Sequence, residues 1–171
     1  TNILGRNAAK LYENTMLFLV PMVDPDGVDL VNNALDRNDT YYKEAKAISE
    51  RYPAIRFPDG WKANIAGTDL NLNYPAGWEQ AKRIKFGMGF TAPAPRDYVG
   101  TEPLSAPESR AVYEFTQKHD FSLILAYHTQ GQVIYWKYQD IEPPRGYEIG
   151  TALAEASGYT LDLVPAESSF A

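Results

Sequence analysis

The chain has 171 residues and a mass of 19.1 kDa, enough for one domain that buries roughly 70% of the surface its unfolded form exposes. Apolar residues make up 44% and charged residues 22%, ordinary globular proportions that argue against disorder. Sixteen Lys and Arg against 22 Asp and Glu leave a net charge of −6, which argues against a nucleic-acid partner, and the lack of cysteine excludes disulfides and thiolate chemistry. The nearly apolar run 16–23 is far short of the roughly 20 residues that span a bilayer, so no membrane span is expected. The chain opens on Thr1 and closes on Ser168-Ser169-Phe170-Ala171. Both ends read as cuts through a larger protein, so a fragment is expected.

Residues 2–14 read as a helix, with Ile3, Leu4, Ala8 and Leu11 spaced for one apolar face. Met16-Leu17-Phe18-Leu19-Val20 is continuous rather than alternating, as in a strand buried on both faces of a parallel sheet. Asp24-Pro25-Asp26-Gly27 is turn chemistry. Residues 40–51 form a second predicted helix, capped by Thr40 or Asp39, with Ala45, Ile48 and Tyr52 on one side. Residues 53–103 hold half of the twelve prolines and half of the twelve glycines, with no periodicity of element length. Their aromatics favour ordered, functional loops over disorder.

Ser105-Ala106-Pro107-Glu108 has the form of a capping box. It opens a predicted helix to about His119, with Ala111, Val112 and Phe115 inward. Residues 121–127 are the next predicted buried strand, which delivers His128 at its carboxyl end. Residues 133–136 read as a short strand after the Gly131 turn, and residues 147–157 as a helix stopped by Gly158. Strands alternating with helices imply an α/β fold with a largely parallel central sheet flanked by helices. If the chain is incomplete, that sheet is incomplete too, and its open edges invite self-association.

Ligands of open α/β sheets bind beyond the carboxyl ends of the strands. His128 sits there, followed by Thr129 and Gln130. It reads either as a metal ligand or base, or as a histidine hydrogen-bonded within a loop. His119, near a helix end, complements the helix dipole and takes no role. The segment Gly67-Thr68-Asp69-Leu70-Asn71-Leu72-Asn73-Tyr74-Pro75 is dense in donors and acceptors. If extended, it points Asp69 and Asn71 the same way. The same residues also fit an Asx-rich turn that stabilises only itself. Tyr135, Trp136 and Tyr138 read first as core or rim packing, with Tyr135 a further candidate for the pocket wall. No Gly-x-Ser-x-Gly elbow supports a serine hydrolase.

Four segments in this order resemble the zinc carboxypeptidase family, peptidase family M14. They are Asp24-Pro25-Asp26-Gly27, Trp61-Lys62-Ala63-Asn64, the segment from Gly67 to Pro75, and Ala126-Tyr127-His128-Thr129-Gln130-Gly131. The likeness covers most of residues 16–136. It is closest to the bacterial γ-D-glutamyl-L-diamino-acid endopeptidases, which cut peptidoglycan stem peptides. The resemblance implies an α/β/α fold, with residues 1–171 as the central part of one metallocarboxypeptidase-like catalytic domain. It implies zinc as cofactor, with His128 as the third ligand. Asp69 would orient another ligating histidine. Asn71 would bind a substrate carboxylate. Lys62 stands where the family usually has an oxyanion-stabilising arginine, and it supplies the charge without the rigid fork.

Leu72 stands where ordinary carboxypeptidases have the arginine that clamps a C-terminal carboxylate. This departure disfavours a general exopeptidase, and Arg96 is the candidate replacement cation. The family's His-x-x-Glu ligand pair does not occur in this sequence, and Glu167 is not at the position of the catalytic glutamate. The chain alone is therefore expected to bind zinc poorly and to be inactive. The resemblance implies a peptide or muropeptide substrate in a bacterial protein; the sequence does not decide between the cytoplasm and the cell wall or spore. A broad-specificity zinc carboxypeptidase and a non-catalytic module that binds cell-wall peptides are the alternatives.

Overall fold

A computed structural model describes residues 13–129 and 131–164. The predicted helix over residues 2–14 lies outside the described residues up to position 12. The fold is α/β, as predicted. Helix α1 spans Pro25–Val31, α2 Thr40–Ser49, α3 Trp78–Gly87 and α4 Pro107–Gln117. Strand β1 (Val133–Tyr135) leads through α5 (Gly146–Ser157) to β2 (Thr160–Asp162). The two strands pair in parallel, with Val133 opposite Thr160 and Tyr135 opposite Asp162.

Local chemistry explains several of the starts and stops. Asp24 does not make an isolated turn: its carboxylate accepts from the Gly27 amide (3.1 Å) and caps α1, with Pro25 in the first turn. Asp39 caps α2 through the Tyr41 amide (2.7 Å). Gly158, at φ 76°, ends α5 in the left-handed region that favours glycine. Gly150 lets α5 settle onto the two-stranded sheet. A Cβ there would lie 2.8 Å from Leu161 Cδ1 and 3.0 Å from Trp136 Cβ.

Several expectations need correction. Residues 16–20 and 121–127 form no strand among the described residues. Met16 is 79% exposed and Ile124 57%. A strand of a parallel sheet needs hydrogen bonds from its neighbours, and no described segment supplies them. Phe18 instead meets the rings of Phe115, His119 and Phe121. Residues 53–103 contain α3 and a 3-10 turn over Leu70–Leu72. Helix α3 escapes detection because its cap is Gly77 in the left-handed conformation, which leaves no side-chain cap to read. Ser105 and Glu108 do not form a capping box: Ala106 is the cap residue, and it makes no side-chain bond. Both polar side chains are taken by distant partners, Ser105 by Asn73 and Glu108 by Asn64. On α4, Ser109 is buried, Val112 and Phe115 are half-buried and Ala111 is exposed.

Two small cores hold residues 24–119. Leu30, Ala45, Trp61 and Ala63 form one, with Tyr42, Ile48 and Phe57 packed around it. Leu72, Trp78, Ala81 and Val99 form the other. Each large side chain so buried contributes roughly 1.5–3 kcal/mol. Asn73, fully buried, ties the second core to α4. Its amide nitrogen lies 2.8 Å from the Val99 carbonyl, 3.0 Å from that of Glu102 and 3.0 Å from Ser105 Oγ. Its oxygen accepts from the Ala106 amide at 3.0 Å. Asn73→Ala would leave buried backbone groups unpaired, so a loss of about 3 kcal/mol is expected in urea unfolding. A loss below about 1 kcal/mol would show that this network does not hold the segment.

Candidate active site

The Lys62 loop is set by the tryptophan before it. Trp61 is buried, and its indole Nε1 donates to the Ala63 carbonyl at 2.7 Å. With that ring anchored, the Lys62 and Ala63 amides both donate to the Pro95 carbonyl, at 2.7 and 3.0 Å. Lys62 itself stands exposed. Asn64 closes the loop. Its side-chain oxygen accepts from the Thr68 amide (2.9 Å), and its Nδ2 donates to Glu108 (3.1 Å).

Asp69 is joined to the same distant segment. Its amide donates to the Tyr98 carbonyl at 2.8 Å, and its carboxylate accepts from the Asp97 amide at 2.9 Å. Burial pushes the Asp69 carboxyl above its ordinary value, and the Asp97 N–H opposes that only in part. Such a carboxylate gains from a further hydrogen-bond donor or cation, as an orienting partner for an imidazole requires. Asn71 follows on the 3-10 turn and is exposed.

Arg96 is therefore strapped between the two loops, with Pro95 bonded to Lys62 and Asp97 bonded to Asp69. Its Nε donates to Asp97 Oδ2 at 2.6 Å, while Lys85 Nζ from α3 meets Asp97 Oδ1 at 2.5 Å. Burial alone would raise the Asp97 carboxyl. The hydrogen bonds and charges of Lys85 and Arg96 outweigh it and hold the group below the ordinary range. Sequence reasoning overlooked Asp97 and Lys85. A signal was present in Asp97, since aspartate tolerates the left-handed backbone (φ 68°) better than most residues.

Lys62, Asp69 and Arg96 are thus brought together, with Asn71 close in sequence. His128 and Tyr135 are both exposed, and neither side chain makes a hydrogen bond, ion pair or ring contact among the described residues. Gln130 lies outside the described residues. Leu72 is buried against Trp78, Ala81 and Val99, so an apolar core contact fills that position. His119 Nδ1 lies 2.8 Å from the Phe115 carbonyl, inside the ring cluster. Zinc sites with catalytic water use three protein ligands. No group of three or more His, Asp or Glu is placed to hold a metal ion among the described residues, so this donor set alone does not fit zinc.

The family model for zinc carboxypeptidase, peptidase M14, matches residues 5–166, and the chain belongs to that family. It is 42% identical over 159 residues to γ-D-glutamyl-L-diamino acid endopeptidase 1 of Lysinibacillus sphaericus, covering 93% of this chain and 38% of that protein. It is 40% identical to the protein YqgT of Bacillus subtilis (strain 168), covering 90% of this chain and 39% of the relative. Human carboxypeptidase O is 32% identical over 97 residues, 53% of this chain and 24% of that protein. The chain thus spans less than half the length of these relatives. No solved structure matches it significantly.

Helix α1 backs onto the Lys62 loop: a Cβ on Gly27 would fall 2.9 Å from the Ala63 carbonyl. Burial there raises its cap Asp24 from 3.8 to about 6, against the Gly27 hydrogen bond and with the charges of Glu108 and Asp26 adding to it. Between about pH 4 and 6 the folded form then holds a proton that the unfolded form has released. Stability through this group falls as pH rises across that window. Asn caps helices as well as Asp. Asp24→Asn should raise the melting temperature at pH 7.5 and lose that advantage near pH 4. An equal difference at both pH values would contradict the assignment.

Proposed function

We propose that the protein to which this chain belongs is a zinc-dependent peptidase. Its proposed substrate is the amide between γ-D-glutamate and a diamino acid in peptidoglycan stem peptides. In this reading residues 1–171 form the central part of one catalytic domain. The observation that carries it is the attachment of the Lys62 loop and of Asp69 to the 95–98 segment, which bears Arg96. An exposed cation, a half-buried carboxylate and a partly exposed guanidinium, drawn from separate loops, suit binding and polarising an acidic peptide. The identity to the Lysinibacillus sphaericus endopeptidase, spread over 93% of the chain, supports the bond type. The exposed apolar runs at 16–20 and 123–127 support a larger domain, because such patches normally mark a surface that something covers.

The residues take separate roles. His128 would supply one zinc ligand, and Asp69 would hold a ligating histidine from elsewhere in the protein in the right tautomer. Lys62 offers positive charge where negative charge develops on the substrate oxygen. Asn71 and Arg96 bind substrate carboxylates, and Tyr135 lines the peptide-binding face. Leu72 weighs against a general exopeptidase, because a core leucine offers no charge-assisted pair to a free C-terminus.

Assays on the full-length protein supplied with zinc test this reading. A muropeptide should be cut at the γ-D-glutamyl bond in preference to a blocked dipeptide, and Lys62→Ala should lower kcat about 100-fold. Elemental analysis of the isolated 171-residue chain should find well below one zinc per molecule. Equal release of C-terminal residues from the dipeptide would point to a broad carboxypeptidase. Binding of the muropeptide without cleavage would point to a non-catalytic module.

A further inference from the structure

We propose that Asp97 is a positioning residue that aims the Arg96 guanidinium end-on at a carboxylate of the substrate, beside Lys62. The inference rests on the peptide-binding reading of the site and adds how charge is recognised there. The backbone on either side of Arg96 is pinned, by the Pro95 carbonyl to the Lys62 and Ala63 amides and by the Asp97 amide to Asp69. The left-handed backbone at Asp97 accompanies a carboxylate that accepts the Nε of its own neighbour. Lys85 holds the other oxygen of that carboxylate, so it does not swing away. With Nε engaged, the guanidinium plane is fixed, and the Nη1/Nη2 edge is the one left for a bidentate carboxylate. Asp97 is the hydrogen-bond partner of that guanidinium among the described residues, and the Arg96 side chain is 41% exposed. A neutral peptide group gains far less from such a fork. The site therefore selects acidic peptides without an arginine at position 72.

The test uses metal-free full-length protein in EDTA, titrated with glutarate or with glutaramide and followed through the arginine Nε–H signals in NMR. The Arg96 signal should move with glutarate and stay still with glutaramide. Arg96→Gln should weaken glutarate about tenfold, and Arg96→Lys, which keeps the charge and loses the fork, should restore little of it. Asp97→Asn keeps a residue that tolerates the left-handed backbone. At roughly 0.5 M salt, where the removed charge is screened, it should weaken glutarate about threefold. Full recovery in Arg96→Lys, or unchanged or tighter binding in Asp97→Asn, would overturn the proposal. Glutarate binding as described without muropeptide cleavage would sink the hydrolytic reading and leave the positioning role standing. Cleavage with an Arg96 signal indifferent to glutarate would do the reverse.

Discussion

One carbonyl and one amide, two residues apart, hold the site together. The Pro95 carbonyl takes the amides of Lys62 and Ala63, and the Asp97 amide is given to the Asp69 carboxylate. Sequence distances of more than twenty-five residues are closed by these bonds. The Lys62 loop and Asp69 are bonded to that short strap, which carries Arg96 itself. Its position depends in turn on the Leu72–Trp78–Ala81–Val99 core, since Trp78 Nε1 donates to the Val99 carbonyl (3.0 Å) and Asn73 Nδ2 to the same oxygen. Packing thus fixes the strap, and the strap fixes the charges.

The electrostatics follow from the same geometry. Asp69 and Asp97 are both shielded carboxylates, yet they titrate in opposite directions. Asp97 has two cations in contact, whereas Asp69 has the backbone amides of Asp97 and Asn71. The first is satisfied within the chain. The second stays poised for another partner, and this difference separates a structural carboxylate from one available to a site. The acidic net charge of −6 does not conflict with the proposed anionic substrate, because the local cations Lys62 and Arg96 stand exposed or partly exposed.

Much of the fold could be read from the residues. Asp39 before α2 and Gly158 after α5 are local signals, and local bonds honour them. What escaped was non-local. Continuous apolar runs at 16–20 and 121–127 mark a preference for burial, but a strand also needs neighbours with free backbone groups. Ser105 and Glu108 have the right spacing for a cap, yet Asn73 and Asn64 compete for them more effectively. The site followed the same rule. The family resemblance singled out Lys62, Asp69 and Arg96 as candidates, while the double acceptor at Pro95 and the brace at Asp97 depend on segments meeting in space. Leu72 was noticed as a departure; its role as a core residue emerged only from what packs around it.

Native-state amide hydrogen exchange tests the central claim most directly. If the strap organises the site, the amides of Lys62, Ala63 and Asp97 should exchange slowly and as one cooperative unit with Asn73 and Trp78. Exchange of those three amides as fast as that of the exposed residues 16–20, with the core still protected, would show that the strap does not hold the site.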